Sequence, residues 1–87
     1  MKVSNMTSNN GKSVPNQLII TDGNKEVFQS YSSIIAVREN GKLTFDEEKW
    51  NYSSTTSKYR NQFTGLDTKE TEKKIKSGEI KFADLNK

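Results

Sequence analysis

Ser33-Ile34-Ile35-Ala36-Val37-Arg38-Glu39-Asn40-Gly41-Lys42-Leu43-Thr44-Phe45-Asp46 is the stretch that decides the fold class. Asn-Gly readily takes the positive φ angles of a type I′ turn, and apolar residues alternating on both sides of it mark a β-hairpin. A two-residue turn at Asn40-Gly41 pairs Glu39 with Lys42, Arg38 with Leu43 and Ala36 with Phe45. Side chains alternate across a strand, so Ile34, Ala36, Leu43 and Phe45 fall on one face. Ile35, Val37, Lys42 and Thr44 fall on the other. The first set is the better core face, with the stem of Arg38 along its rim. Ile35 and Val37 then need a cover of their own, from the helices or from a partner, and they form a candidate protein-binding face.

Upstream, Leu18-Ile19-Ile20 and Val27-Phe28 flank Asp22-Gly23-Asn24, a second hairpin signal. A Gly23-Asn24 turn pairs Asp22 with Lys25, Ile20 with Val27 and Ile19 with Phe28. An Asp22-Gly23 turn would set Ile20 beside Lys25 and Ile19 beside Glu26. The first register joins apolar to apolar and opposite charges to each other, and is preferred. Strands are expected near residues 17–22, 25–31, 33–39 and 42–46. Residues 1–14 show no apolar period and are expected to be a flexible tail. A single domain is expected over residues 15–87.

Downstream, Ser53 or Ser54 suits the N-cap of a helix running to Phe63, with Tyr59 and Phe63 on its inner side and Gly65 as its stop. Asp67 caps a second helix, with Glu70 placed for a capping box and Gly78 at its end. Ile80, Phe82 and Leu85 form a last apolar segment, able to add a strand or to fold back on the core. The expected fold is α+β: an antiparallel sheet of about four strands, in two hairpins, packed with two short C-terminal helices.

Of the 87 residues, 30% are hydrophobic, against a usual value of about 45–50% with Gly counted. The core must be small, and a partner or a second copy, as in a homodimer, would add to its stability. With no cysteine there is no disulfide and no thiolate metal site. No apolar run follows Lys2, and the longest one, Ile34-Ile35-Ala36-Val37, is far too short to span a bilayer. A soluble cytoplasmic protein with no membrane partner is expected. The net charge is +3, with residues 15–50 carrying −2 and residues 55–87 carrying +3.

The chain has no histidine, the commonest general base, and no Gly-rich phosphate loop. Asp46-Glu47-Glu48 lacks the ligand spacing of a calcium loop and reads as a solvated loop or the start of a short helix. No enzyme activity, cofactor or metal is therefore expected. The run Thr55, Thr56, Lys58, Arg60, Asn61, Gln62 carries the side chains that hold phosphates and read base edges, at a helix N-terminus. It is a candidate nucleic-acid or partner surface, joined by the basic residues Lys73 and Lys74. The competing account is a capped amphipathic helix with a polar back.

Phe28-Gln29-Ser30-Tyr31, Ser33-Ile34-Ile35-Ala36, Trp50-Asn51-Tyr52-Ser53, the run from Thr55 to Phe63, and residues 72–78 resemble a family of small uncharacterised proteins encoded by bacteriophages and mobile elements of Gram-positive bacteria. The resemblance covers most of residues 15–86 and brings no activity or site with it. It implies a bacterial host cytoplasm and a protein that binds nucleic acid or blocks a host protein, such as a defence nuclease (an anti-CRISPR-like role) or a replication or transcription protein.

Overall fold

The two tight turns form where the sequence places them. In a computed structural model, which describes residues 1–86, Asn40 and Gly41 have φ of 53° and 78°. The strands beside them, β4 (Ser33–Glu39) and β5 (Lys42–Asp46), pair in the expected register. Strands β2 (Ser13–Asp22) and β3 (Lys25–Ser30) pair Asp22 with Lys25, Ile20 with Val27 and Ile19 with Phe28 around Gly23-Asn24.

Among the described residues the sheet has six strands where about four were expected, in the order β1 to β6. The addition at one edge is β1 (Lys2–Thr7), antiparallel to β2. The expected flexible tail of residues 1–14 is thus corrected: it forms β1, a turn and the start of β2. A ladder of backbone hydrogen bonds holds a strand regardless of its polarity, so composition gave no sign of it. Met6 anchors β1 in the core at 4% exposure. The Asn5 amide donates to the Val14 carbonyl at 3.0 Å, and Gln62 donates to the Thr7 carbonyl at 3.0 Å.

At the other edge β6 (Ile80–Ala83) runs parallel to β5. A parallel neighbour requires a crossover, and the two helices supply it: α1 (Ser54–Thr64) and α2 (Thr68–Ser77). The Ser53 hydroxyl caps α1 and Gly65 ends it at φ 77°. Asp67 and Glu70 form the expected capping box on α2, and Gly78 closes it.

Both helices pack on one side of the sheet. Tyr59 and Phe63 of α1 join Met6, Phe28, Ile35, Ala36, Phe45 and Ile80 in the core, with Leu66 and Ile75 packed against it. The rings of Phe28 and Phe63 stack at 5.8 Å. Arg38 closes the rim: its guanidinium grips the Glu26 carboxylate at 2.7 Å, donates to the Phe63 carbonyl at 3.0 Å and lies 4.6 Å from the Phe63 ring centre.

If β1 is a core strand, Met6→Ala should lower the free energy of unfolding by about 2–4 kcal/mol. In a flexible tail the same change would cost less than about 0.5 kcal/mol. Urea denaturation followed by tryptophan fluorescence distinguishes the two.

Candidate functional site

The inner stripe of α1 is Thr56, Tyr59, Arg60 and Phe63, all buried. That is the i, i+3, i+4, i+7 spacing of a helix face laid on a core. Two residues expected to contact a partner therefore lie inside. Thr56 is 0% exposed, and its hydroxyl accepts a hydrogen bond from the Ser53 hydroxyl at 3.0 Å and shares one with the Ser30 hydroxyl at 3.1 Å. Arg60 is 1% exposed. Its guanidinium lies 5.2 Å from the Trp50 ring centre and 5.8 Å from that of Phe45. It donates to the Trp50 carbonyl at 2.8 Å, to Asn51 at 3.2 Å and to Asn61 at 3.0 Å. Among the described residues no carboxylate pairs with it, and its Nε has no acceptor. Burial lowers its pKa from the ordinary arginine value. Arg60 is thus a structural pin between helix and loop, and the expectation that Thr56 and Arg60 read nucleic acid is corrected. The helical period that turns Tyr59 and Phe63 inward also turns Thr56 and Arg60 inward.

The rest of that run is divided. Asn61 is engaged by Arg60, and Gln62 by the Thr7 carbonyl. Lys74 forms an ion pair with Glu79 at 2.7 Å, which holds the Glu79 carboxyl below its usual pKa. Thr55, Lys58 and Lys73 stay exposed, with the Lys58 ammonium 5.4 Å from the Tyr59 ring centre. Of these eight residues, Thr55, Lys58, Gln62 and Lys73 are exposed, Asn61 and Lys74 are half-buried, and Thr56 and Arg60 are enclosed.

The acidic cluster is also built into the fold. Asp46 is 2% exposed and accepts the backbone N–H groups of Leu85 at 2.8 Å, Lys49 at 2.8 Å and Glu48 at 3.1 Å. Burial raises its pKa, but these hydrogen bonds outweigh that and leave it below the ordinary carboxyl value. Among the described residues no group of three or more His, Cys, Asp or Glu side chains is gathered as metal ligands. None of the described helices is long and apolar enough to cross a membrane.

Among the described residues, no helix covers the other face of the sheet. Its middle row crosses five strands as Val3, Ile20, Val27, Val37 and Thr44. Val3 is 56% exposed, and Ile20, Val27 and Val37 are half-buried and outside the core and the shell packed on it. Val37 lies on this face as expected, but Ile35 does not. A register shift between Phe28 and Gln29 inserts one extra residue in β4, so Ile35 and Ala36 are both buried at 0% exposure. Ile34, opposite Gln29, takes the outer position instead. Leu18, Ile20 and Val27 were missed as members of this face, although the alternation within their hairpin shows them there.

At the hairpin end of this face, one row reads Asp22, Lys25, Glu39, Lys42 across β2 to β5. The signs alternate. Among the described residues none of the four lies within ion-pair distance of an opposite charge.

Removing Arg60 should act on stability. Arg60→Ala is expected to cost about 2–4 kcal/mol, through an unpaired carbonyl and a cavity beside two stacked rings, whereas Lys58→Ala changes stability by less than about 0.5 kcal/mol; thermal and urea unfolding measure both. Asp46 contributes stability that is fully present above about pH 4–5 and is lost as the pH falls through its lowered folded-state pKa. Asp46→Asn should therefore lower stability at neutral pH and flatten its acid dependence below about pH 4, as read from urea midpoints between about pH 2 and 7.

Comparison with curated proteins and with solved structures gave no match. A family model does match, over residues 1–79, which takes in β1 to β5 and both helices. The chain belongs to a family of unknown function, DUF8033.

Proposed function

We propose that this is a small non-enzymatic binding protein that engages a protein partner through the open face of its sheet. The observation that supports this most is the uncovered apolar row of Val3, Ile20, Val27 and Val37, with Leu18 and Ile34 beside it. Contiguous apolar surface left in water is unfavourable, and a docked protein removes it. The role of Asp46 in holding its loop supports the non-enzymatic reading, because that carboxylate is committed to backbone amides. The resemblance to phage and mobile-element proteins of Gram-positive bacteria supports a bacterial host cytoplasm as the setting. It also supports inhibition of a host factor, such as a defence nuclease or a replication or transcription protein, as the outcome of binding.

A second reading, nucleic-acid binding by the helix layer, rests on the exposed Lys58, Lys69, Lys73 and Lys76. It has less support, because Thr56 and Arg60 are enclosed and Glu70 and Glu72 stand among those lysines.

Pull-down from a Gram-positive host lysate compares the two surfaces. Captured protein is expected to be lost with Val37→Asp and kept with Lys58→Ala/Lys73→Ala. Capture that survives Val37→Asp contradicts the sheet-face reading. A mobility shift on DNA that weakens steeply with salt and vanishes in the double lysine variant favours the second reading instead.

A further inference from the structure

The charges bordering the open face have a symmetry that a partner must match. Asp22, Lys25, Glu39 and Lys42 occupy one row at the same height on four adjacent strands, in the order minus, plus, minus, plus. The centre of that row falls between β3 and β4, which is also the centre of the six-strand order. A two-fold axis along the strand direction through this point turns the sheet over onto itself and preserves height along the strands. It sets β3 against the other copy's β4, and β2 against its β5. Every charge in the row then meets its opposite: Lys25 faces Glu39, and Asp22 faces Lys42, each twice. The same operation sets Val27 against Val37 and Ile20 against Thr44. Packed sheets lie about 10 Å apart, a gap that lysine and glutamate side chains can bridge. A two-fold interface needs one patch complementary to itself, and an alternating four-charge row centred on the axis meets that requirement.

We infer that the partner seated on this face is a second copy of the chain, in a face-to-face sheet sandwich centred between β3 and β4. The inference rests on the reading of the open sheet face as the contact surface. The row sums to zero charge, so it offers a polyanion or an anionic membrane no net attraction. Within one chain the four charges are unpaired among the described residues, so they remain available across the interface. The face is narrow, which places the dimer among weak, concentration-dependent associations.

Sedimentation equilibrium of the full chain from about 5 μM to about 1 mM tests this. The wild type is expected to shift from monomer to dimer, and the dimer to weaken between about 0.05 and 0.5 M salt. In a homodimer of the Lys25→Glu variant, a carboxylate opposes a carboxylate where Lys25 had met Glu39. In a homodimer of the Glu39→Lys variant, an ammonium opposes an ammonium at the same place. Each variant should dimerise at least about tenfold more weakly. Mixed in equal amounts, they oppose unlike charges at all four positions, and a heterodimer should form at wild-type strength. Circular dichroism confirms that each variant is folded. Failure of the mixture to restore the dimer overturns this geometry. A wild type that stays monomeric at about 1 mM overturns the inference, and Val37→Asp then decides the underlying reading. If that variant abolishes capture of a host protein, the face is a contact surface for something else; if capture is unchanged, both fail.

Discussion

The constraint on which this structure depends is that the sheet has two faces and the described residues supply helices for one. Two short helices side by side, each about 10 Å across, roof about 20 Å. Six strands spaced about 4.8 Å apart span about 24 Å. The crossover from β5 to β6 uses both helices on the same side, where Tyr59, Phe63, Leu66 and Ile75 meet the inner residues of the sheet. Nothing among the described residues remains for the opposite side, which keeps Val3, Ile20, Val27 and Val37 at the surface. Unlike an isolated exposed valine, this is a row that crosses four neighbouring strands.

With so few apolar residues, polar groups complete the interior. Arg60 fills the space under Trp50 and Phe45 with its flat guanidinium and spends its N–H groups on a carbonyl and two side-chain amides. Ser30, Ser53 and Thr56 share hydroxyl hydrogen bonds at the start of α1. Asp46 ties the end of β5 to the loop after it and to Leu85 beyond β6. The Asn86 side chain pairs with both the N–H and the carbonyl of Ile34, at 2.7 and 2.9 Å, where β4 extends past the end of β5. Buried polar groups carry a large penalty unless paired. The run of Thr, Lys, Arg, Asn and Gln in α1 therefore resembles a recognition helix in composition, while half of it serves as internal scaffolding.

The two central hairpins were legible because turn chemistry and alternation agree there: Asn40-Gly41 and Gly23-Asn24 set the register, and Phe28, Ala36 and Phe45 follow. Both helix caps were legible for the same local reason. The edge strand β1 was not, because its hydrogen bonds are made by backbone and its side chains apart from Met6 are exposed. The bulge in β4 was not, because an extra residue leaves no mark in an apolar run such as Ile34-Ile35-Ala36-Val37 and yet moves Ile35 to the core. The burial of Arg60 conflicts with the ordinary preference of arginine for the surface, and the helical period was the better guide.

The central claim, that one sheet face is core and the other is a contact surface, is tested most directly by the solvent accessibility of individual methyl groups. A soluble paramagnetic probe in methyl NMR reports it. The account predicts strong broadening of the Ile20, Val27 and Val37 methyls in dilute protein, little for Ile35 and Ile80, and protection of the first three as the protein is concentrated. Ile35 broadened as strongly as Val37, or outer methyls protected in dilute protein, would contradict it.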